Sequence, residues 1–71
     1  MTRDIEKSYS TAQFCQKLRR LADCLEQGQN FRIQVAGERV WVPSGARVNI
    51  EHERGSHEEE LEFQIKWSLE D

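Results

Sequence analysis

Between Phe14 and Leu25 the apolar residues fall at helical spacing. Phe14, Leu18, Leu21, Ala22 and Leu25 share an arc of about 100° at ~100° per residue, the width of one core-facing stripe. Gln16, Arg19, Arg20, Asp23 and Glu26 take the other side, with Cys15 and Cys24 flanking the stripe. Ser10-Thr11-Ala12-Gln13 reads as a capping box: the Ser10 hydroxyl accepts from the amide of residue 13, and the Gln13 side chain reaches back to the amide of Ser10. Gly28 follows as the left-handed stop. These signals predict a helix over 11–27, with Leu21 fully buried.

After Asn30 the period changes to two. Phe31, Ile33 and Val35 alternate with Arg32 and Gln34; Val40 and Val42 alternate with Arg39 and Trp41; Ala46, Val48 and Ile50 alternate with Arg47, Asn49 and Glu51. The clearest run is the last, where Leu61, Phe63, Ile65, Trp67 and Leu69 alternate with Glu62, Gln64, Lys66 and Ser68. Three turns fit between these strands. Gly37-Glu38 suits a two-residue loop, and Ala36-Gly37 shifts the pairing while keeping the faces. Pro43-Ser44-Gly45 suits a three-residue loop with Gly45 left-handed, which pairs Val42 with Ala46 and sets Trp41 opposite Arg47. Gly55-Ser56 suits a Gly-X loop that pairs Ile50 with Leu61 and Glu51 with Glu60. In each hairpin inward residues meet inward residues, as register demands. Residues 1–9 form an N-terminal segment in which Ile5, Lys7 and Tyr9 alternate with Glu6 and Ser8, a pattern with room for a short extra edge strand.

The expected fold is therefore α+β: one helix packed on a four-stranded antiparallel meander over 30–69, in a single domain spanning 1–71. At 71 residues the chain holds one small core and no second one. Four strands about 4.8 Å apart span ~15–19 Å, whereas a helix covers ~10 Å. The apolar inner face exceeds what one helix can roof. Strong curling, coverage by the N-terminal segment, or a homodimer through the sheet edge or the uncovered inner face would each resolve the excess.

Charge and cysteines narrow the chemistry. Ten Lys and Arg against thirteen Asp and Glu leave a net charge of −3, the wrong sign for a protein devoted to phosphate backbones. No run approaches the ~18 apolar residues of a membrane span, and the N-terminus has no apolar signal region. Cys15 and Cys24 lie nine positions apart on one helix, about 13 Å along its axis, too far for a disulfide. Free thiols without a signal predict a reducing cytoplasm.

Three segments together carry a family resemblance. They are the Leu- and Ala-patterned helix 14–28 ending in Gly28, the alternating Val48-Asn49-Ile50-Glu51-His52-Glu53, and the amphipathic Glu60-Leu61-Glu62-Phe63-Gln64-Ile65-Lys66-Trp67. In this order, and with the terminal Trp67, the chain resembles the amphi-Trp domain family over roughly residues 10–69. The resemblance implies a small stand-alone domain, in keeping with the fold above, and carries no mechanism with it.

Candidate chemistry gathers on the outer sheet face. Arg32, Arg39, Arg47 and Trp41 form a basic, aromatic end, and Glu51, Glu53, Glu58, Glu60 and Glu62 an acidic one. The basic end suits a base-stacking or anion site, an exposed Trp covered by Arg stems, or the centre of a protein contact. The acidic end lacks any Ca²⁺-loop spacing and reads as solvated charge. His52 and His57 flank a turn and with the Glu residues could ligate a transition metal, but two His at a hairpin tip are more often simply exposed; Trp67 reads as core. Nothing sets a nucleophile beside a base in a closed pocket, so neither catalytic residues nor a cofactor nor a metal is expected. The function this predicts is a non-enzymatic protein-interaction or assembly module. The alternative is a binding module for single-stranded nucleic acid or a small anionic ligand at Trp41, Arg32, Arg39 and Arg47, with nucleic acid the less favoured of the two.

Overall fold

The computed structural model describes residues 6–69. It contains one helix, α1 (Thr11–Glu26), followed by four strands: β1 (Phe31–Val35), β2 (Glu38–Val42), β3 (Arg47–Arg54) and β4 (Glu59–Lys66). The α+β class is as expected. Residues 6–9 form no strand, and the remainder of the expected N-terminal strand lies outside the described residues.

Both ends of α1 follow from local chemistry. The Ser10 hydroxyl accepts from the Gln13 amide at 3.2 Å while the Gln13 Oε1 accepts from the Ser10 amide at 3.1 Å. At the other end Gly28, at φ 66°, donates to the Leu25 carbonyl and Gln29 donates to the Cys24 carbonyl. That pair of bonds is a Schellman stop, which satisfies two carbonyls the helix leaves open.

The sheet departs from the expected meander. β1 pairs with β2 and β3 with β4, both antiparallel, but β2 and β3 do not pair; two two-stranded sheets replace one of four. The reason lies in the turn 43–46. The Ala46 amide donates to the Pro43 carbonyl at 3.1 Å, and the Ser44 amide donates to Asn30 Oδ1 at 3.0 Å. Gly45 is not left-handed. With Gly45 outside the left-handed region, the three-residue hairpin loop that would pair β2 with β3 does not form. Val42 does not meet Ala46, and Trp41 does not meet Arg47.

The first hairpin uses Ala36-Gly37 rather than Gly37-Glu38. Both residues are left-handed, at φ 50° and 82°, and the register pairs Ile33 with Val40 and Phe31 with Val42. This two-residue, doubly left-handed loop is the one whose twist matches a hairpin. The second hairpin closes with four residues. Gly55 is not left-handed, so the Gly-X loop does not form; its amide donates to the Glu58 carbonyl at 2.8 Å. Arg54 then meets Glu59, Glu53 meets Glu60, Glu51 meets Glu62 and Ile50 meets Phe63. Faces are kept, but every pair moves by two residues from the expected register. The shift sets Arg54 beside Glu59 at 3.0 Å and Asn49 beside Gln64 at 2.7 Å.

The core is small. Phe31 and Val42, directly opposed across the first hairpin, are 4% and 5% exposed, and no other described hydrophobic residue is as deeply buried. Leu21 is half-buried, not fully buried, and so is Trp67. The second hairpin does not close onto the helix. A groove of about 490 Å³, lined by Leu21, Leu25, Val48, Ile50, Phe63 and Ile65, separates them.

Candidate functional site

Of the four residues singled out at the basic end, the structure brings three together. Arg32, Arg39 and Trp41 lie on the first hairpin, on the face that also carries Gln34. Arg32 and Trp41 are cross-strand partners, and the Arg32 guanidinium lies 4.9 Å from the Trp41 ring centroid. Arg47 belongs to the other sheet, where it opposes Lys66. The splaying of β2 from β3 removes it from the site.

The helix and the N-terminal segment supply what the alternation could not reveal. The Arg32 and Gln34 carbonyls point away from β2, because bonded and non-bonded pairs alternate along an antiparallel ladder. Arg20 Nη2 donates to the first at 3.1 Å and the Tyr9 hydroxyl to the second at 3.4 Å. These two bonds hold α1 and the preceding segment beside the free edge of β1. The Arg20 guanidinium also lies 5.2 Å from the Phe31 ring, and Lys17 and Lys7 lie 5.0 Å and 5.6 Å from the Tyr9 ring. The outcome is a groove of about 830 Å³ bordered by Lys7, Lys17, Arg20, Arg32, Arg39 and Trp41. Nothing in the spacing of the sequence joins Lys17 or Arg20 to Arg32.

A second surface is apolar. On the face of the second hairpin that looks toward the helix, Val48, Ile50, Leu61 and Phe63 are each between 62% and 64% exposed. The face ends in a polar cluster in which Glu59 Oε2 contacts His52 Nε2 at 2.7 Å and Arg54 Nη2 at 3.0 Å. The His52 hydrogen bond, then that of Arg54, holds the Glu59 carboxyl below its ordinary value. On the opposite face Glu60 is pushed up, first by its hydrogen bond with Glu62 and then by the Glu62 charge. The acidic end is thus a zone of real mutual repulsion.

No helix among the described residues is long and apolar enough to cross a membrane. Cys15 and Cys24 are free thiols, both half-buried. Comparison with curated proteins and with solved structures gives no match. A family model does match: the amphi-Trp domain model covers residues 1–71, and the chain belongs to that family.

Proposed function

We propose that this domain is a non-enzymatic assembly module whose second hairpin takes a second copy of the chain. The observation that carries the reading is the open apolar face of Val48, Ile50, Leu61 and Phe63. An apolar patch of several hundred Å² is unusual on a soluble monomer and marks a contact surface. The helix faces it across a groove without filling it.

The edge of β4 argues for a second copy as the occupant. β4 pairs with β3 alone, which leaves one edge unpaired. The Gly55–Glu58 bond sets the phase of the ladder, so the main-chain groups of Leu61, Phe63 and Ile65 point outward along that edge. An antiparallel pairing of β4 with its own copy, with the two-fold axis at Phe63, sets Phe63 against Phe63, Leu61 against Ile65 and Glu60 against Lys66. Apolar meets apolar on one face and acid meets base on the other, which is the self-complementarity that a two-fold interface needs. We further place the protein in a reducing compartment, the cytoplasm, a reading supported by the two free thiols.

Sedimentation equilibrium across a wide concentration range tests the assembly. The expected mass is twice 8.4 kDa at micromolar concentration. Lys66→Glu should weaken the dimer, and Glu60→Lys combined with Lys66→Glu should restore it, because the swap re-pairs opposite charges. A constant mass near 8.4 kDa up to high micromolar overturns the reading. A dimer indifferent to the charge swap overturns the β4 edge as its interface.

A further inference from the structure

We infer that the groove between α1 and the first hairpin is a binding site for a small phosphorylated ligand that carries an aromatic ring, a compound of the nucleotide class. The inference is independent of assembly, since the groove and the proposed interface belong to different hairpins.

The first argument is charge against the trend of the molecule. The chain is acidic overall, yet Lys7, Lys17, Arg20, Arg32 and Arg39 converge on one concavity from three separate segments. The ion pairs of Glu59 with His52 and Arg54 lie on the other hairpin. Bringing like charges together is unfavourable unless an anion neutralises them. The second argument is how these cations are held. Arg32 rests on Trp41, Arg20 on Phe31, and Lys17 and Lys7 over Tyr9. A cation stacked on a ring face is fixed in place through its own face, while N–H donors at its rim stay available. Guanidinium forks and ammonium groups arranged in this way are what phosphate oxygens require.

The third argument sets the size and the ring. A volume of about 830 Å³ falls within the usual range of small-molecule sites. Trp41 remains 54% exposed with Arg32 against it, so an aromatic surface stays open at the groove for a planar ring. A long polyanion is disfavoured, because Glu51, Glu53, Glu58, Glu60 and Glu62 on the other hairpin repel it.

Isothermal titration calorimetry of the intact chain at low salt tests the site, with ATP, inorganic tripolyphosphate and an oligothymidylate as the probes. The expected result is saturable ATP binding that quenches tryptophan fluorescence and weakens as salt rises. Lys17→Glu and Arg39→Glu should each weaken it about tenfold, the scale of one lost charge-assisted hydrogen bond. Where a reversal disturbs folding by circular dichroism, Lys17→Gln and Arg39→Gln take its place and should act in the same direction. Absence of ATP binding at millimolar concentration, or binding indifferent to these changes, overturns the site. Tripolyphosphate binding as tightly as ATP overturns the ring contact at Trp41. An oligonucleotide binding far more tightly than ATP overturns the small ligand in favour of a polymer.

Discussion

Arg32 and Trp41 face each other across the β1–β2 ladder, with the guanidinium 4.9 Å from the indole centroid. The pair is the one point where the sheet register, the basic charge and the exposed aromatic surface meet. It exists because the Ala36-Gly37 loop puts position 32 opposite position 41.

An exposed cation–π pair of this kind stabilises by ~0.5–1 kcal/mol. Arg32→Ala and Trp41→Ala should therefore each lower the free energy of unfolding modestly. The double variant should lose less than the sum of the two, by about that coupling. Urea denaturation of the four proteins measures the cycle, and strict additivity would show that the guanidinium and the indole do not interact.

Backbone conformation predicts which of two neighbouring turns benefits from glycine. Ala36 occupies the left-handed region at φ 50°, which costs an L-residue roughly 1–2 kcal/mol. Ala36→Gly, and Ala36→Asn, which makes the favoured Asn-Gly loop, should raise the melting temperature by relieving that strain. Gly45 has no left-handed requirement and open space where a Cβ would stand, so Gly45→Ala should be nearly silent or slightly stabilising. Thermal melts followed by circular dichroism compare the three; a destabilised Ala36→Gly would contradict the loop geometry.

Acidity should act on the second hairpin in two stages. Glu60 titrates above the ordinary carboxylate value of 4.5 because of Glu62, so the folded state holds its proton more tightly than the unfolded chain. Its contribution is fully present below about 4.5 and fades as pH rises through its folded value. Glu59 titrates below 4.5 because of His52 and Arg54, so its contribution is present above 4.5 and is lost as pH falls further. Between pH 7 and the acid range the melting temperature should rise slightly through Glu60 and then fall through Glu59. Glu60→Gln should flatten the rise and Glu59→Gln should soften the fall, each read from melts at stepped pH. Both carboxylates lie on exposed residues, so the amplitudes should be small and should shrink further in salt.

What the order of residues alone determined was local. The Ser10–Gln13 cap, the Gly28 stop, the alternation of all four strands and the side each residue takes depend on contacts within a few positions along the chain. Helix period and strand parity survive in any tertiary setting. The family likeness rests on that same local record.

The tertiary structure decided everything that depends on where one segment lies against another. At 43–46 the Ser44 amide is held by Asn30 Oδ1 fourteen positions away, Gly45 stays out of the left-handed region, and β2 and β3 are not paired. Turn residues permit several closures, and the long-range bond selects among them. That choice removed Arg47 from the basic site. Contacts to the free carbonyls of Arg32 and Gln34 then brought in Arg20 and Tyr9, neither of which any spacing links to β1. Likewise Leu21 has the periodicity of a buried residue but lines a groove, because an apolar stripe states which side faces inward and not how closely the next element approaches.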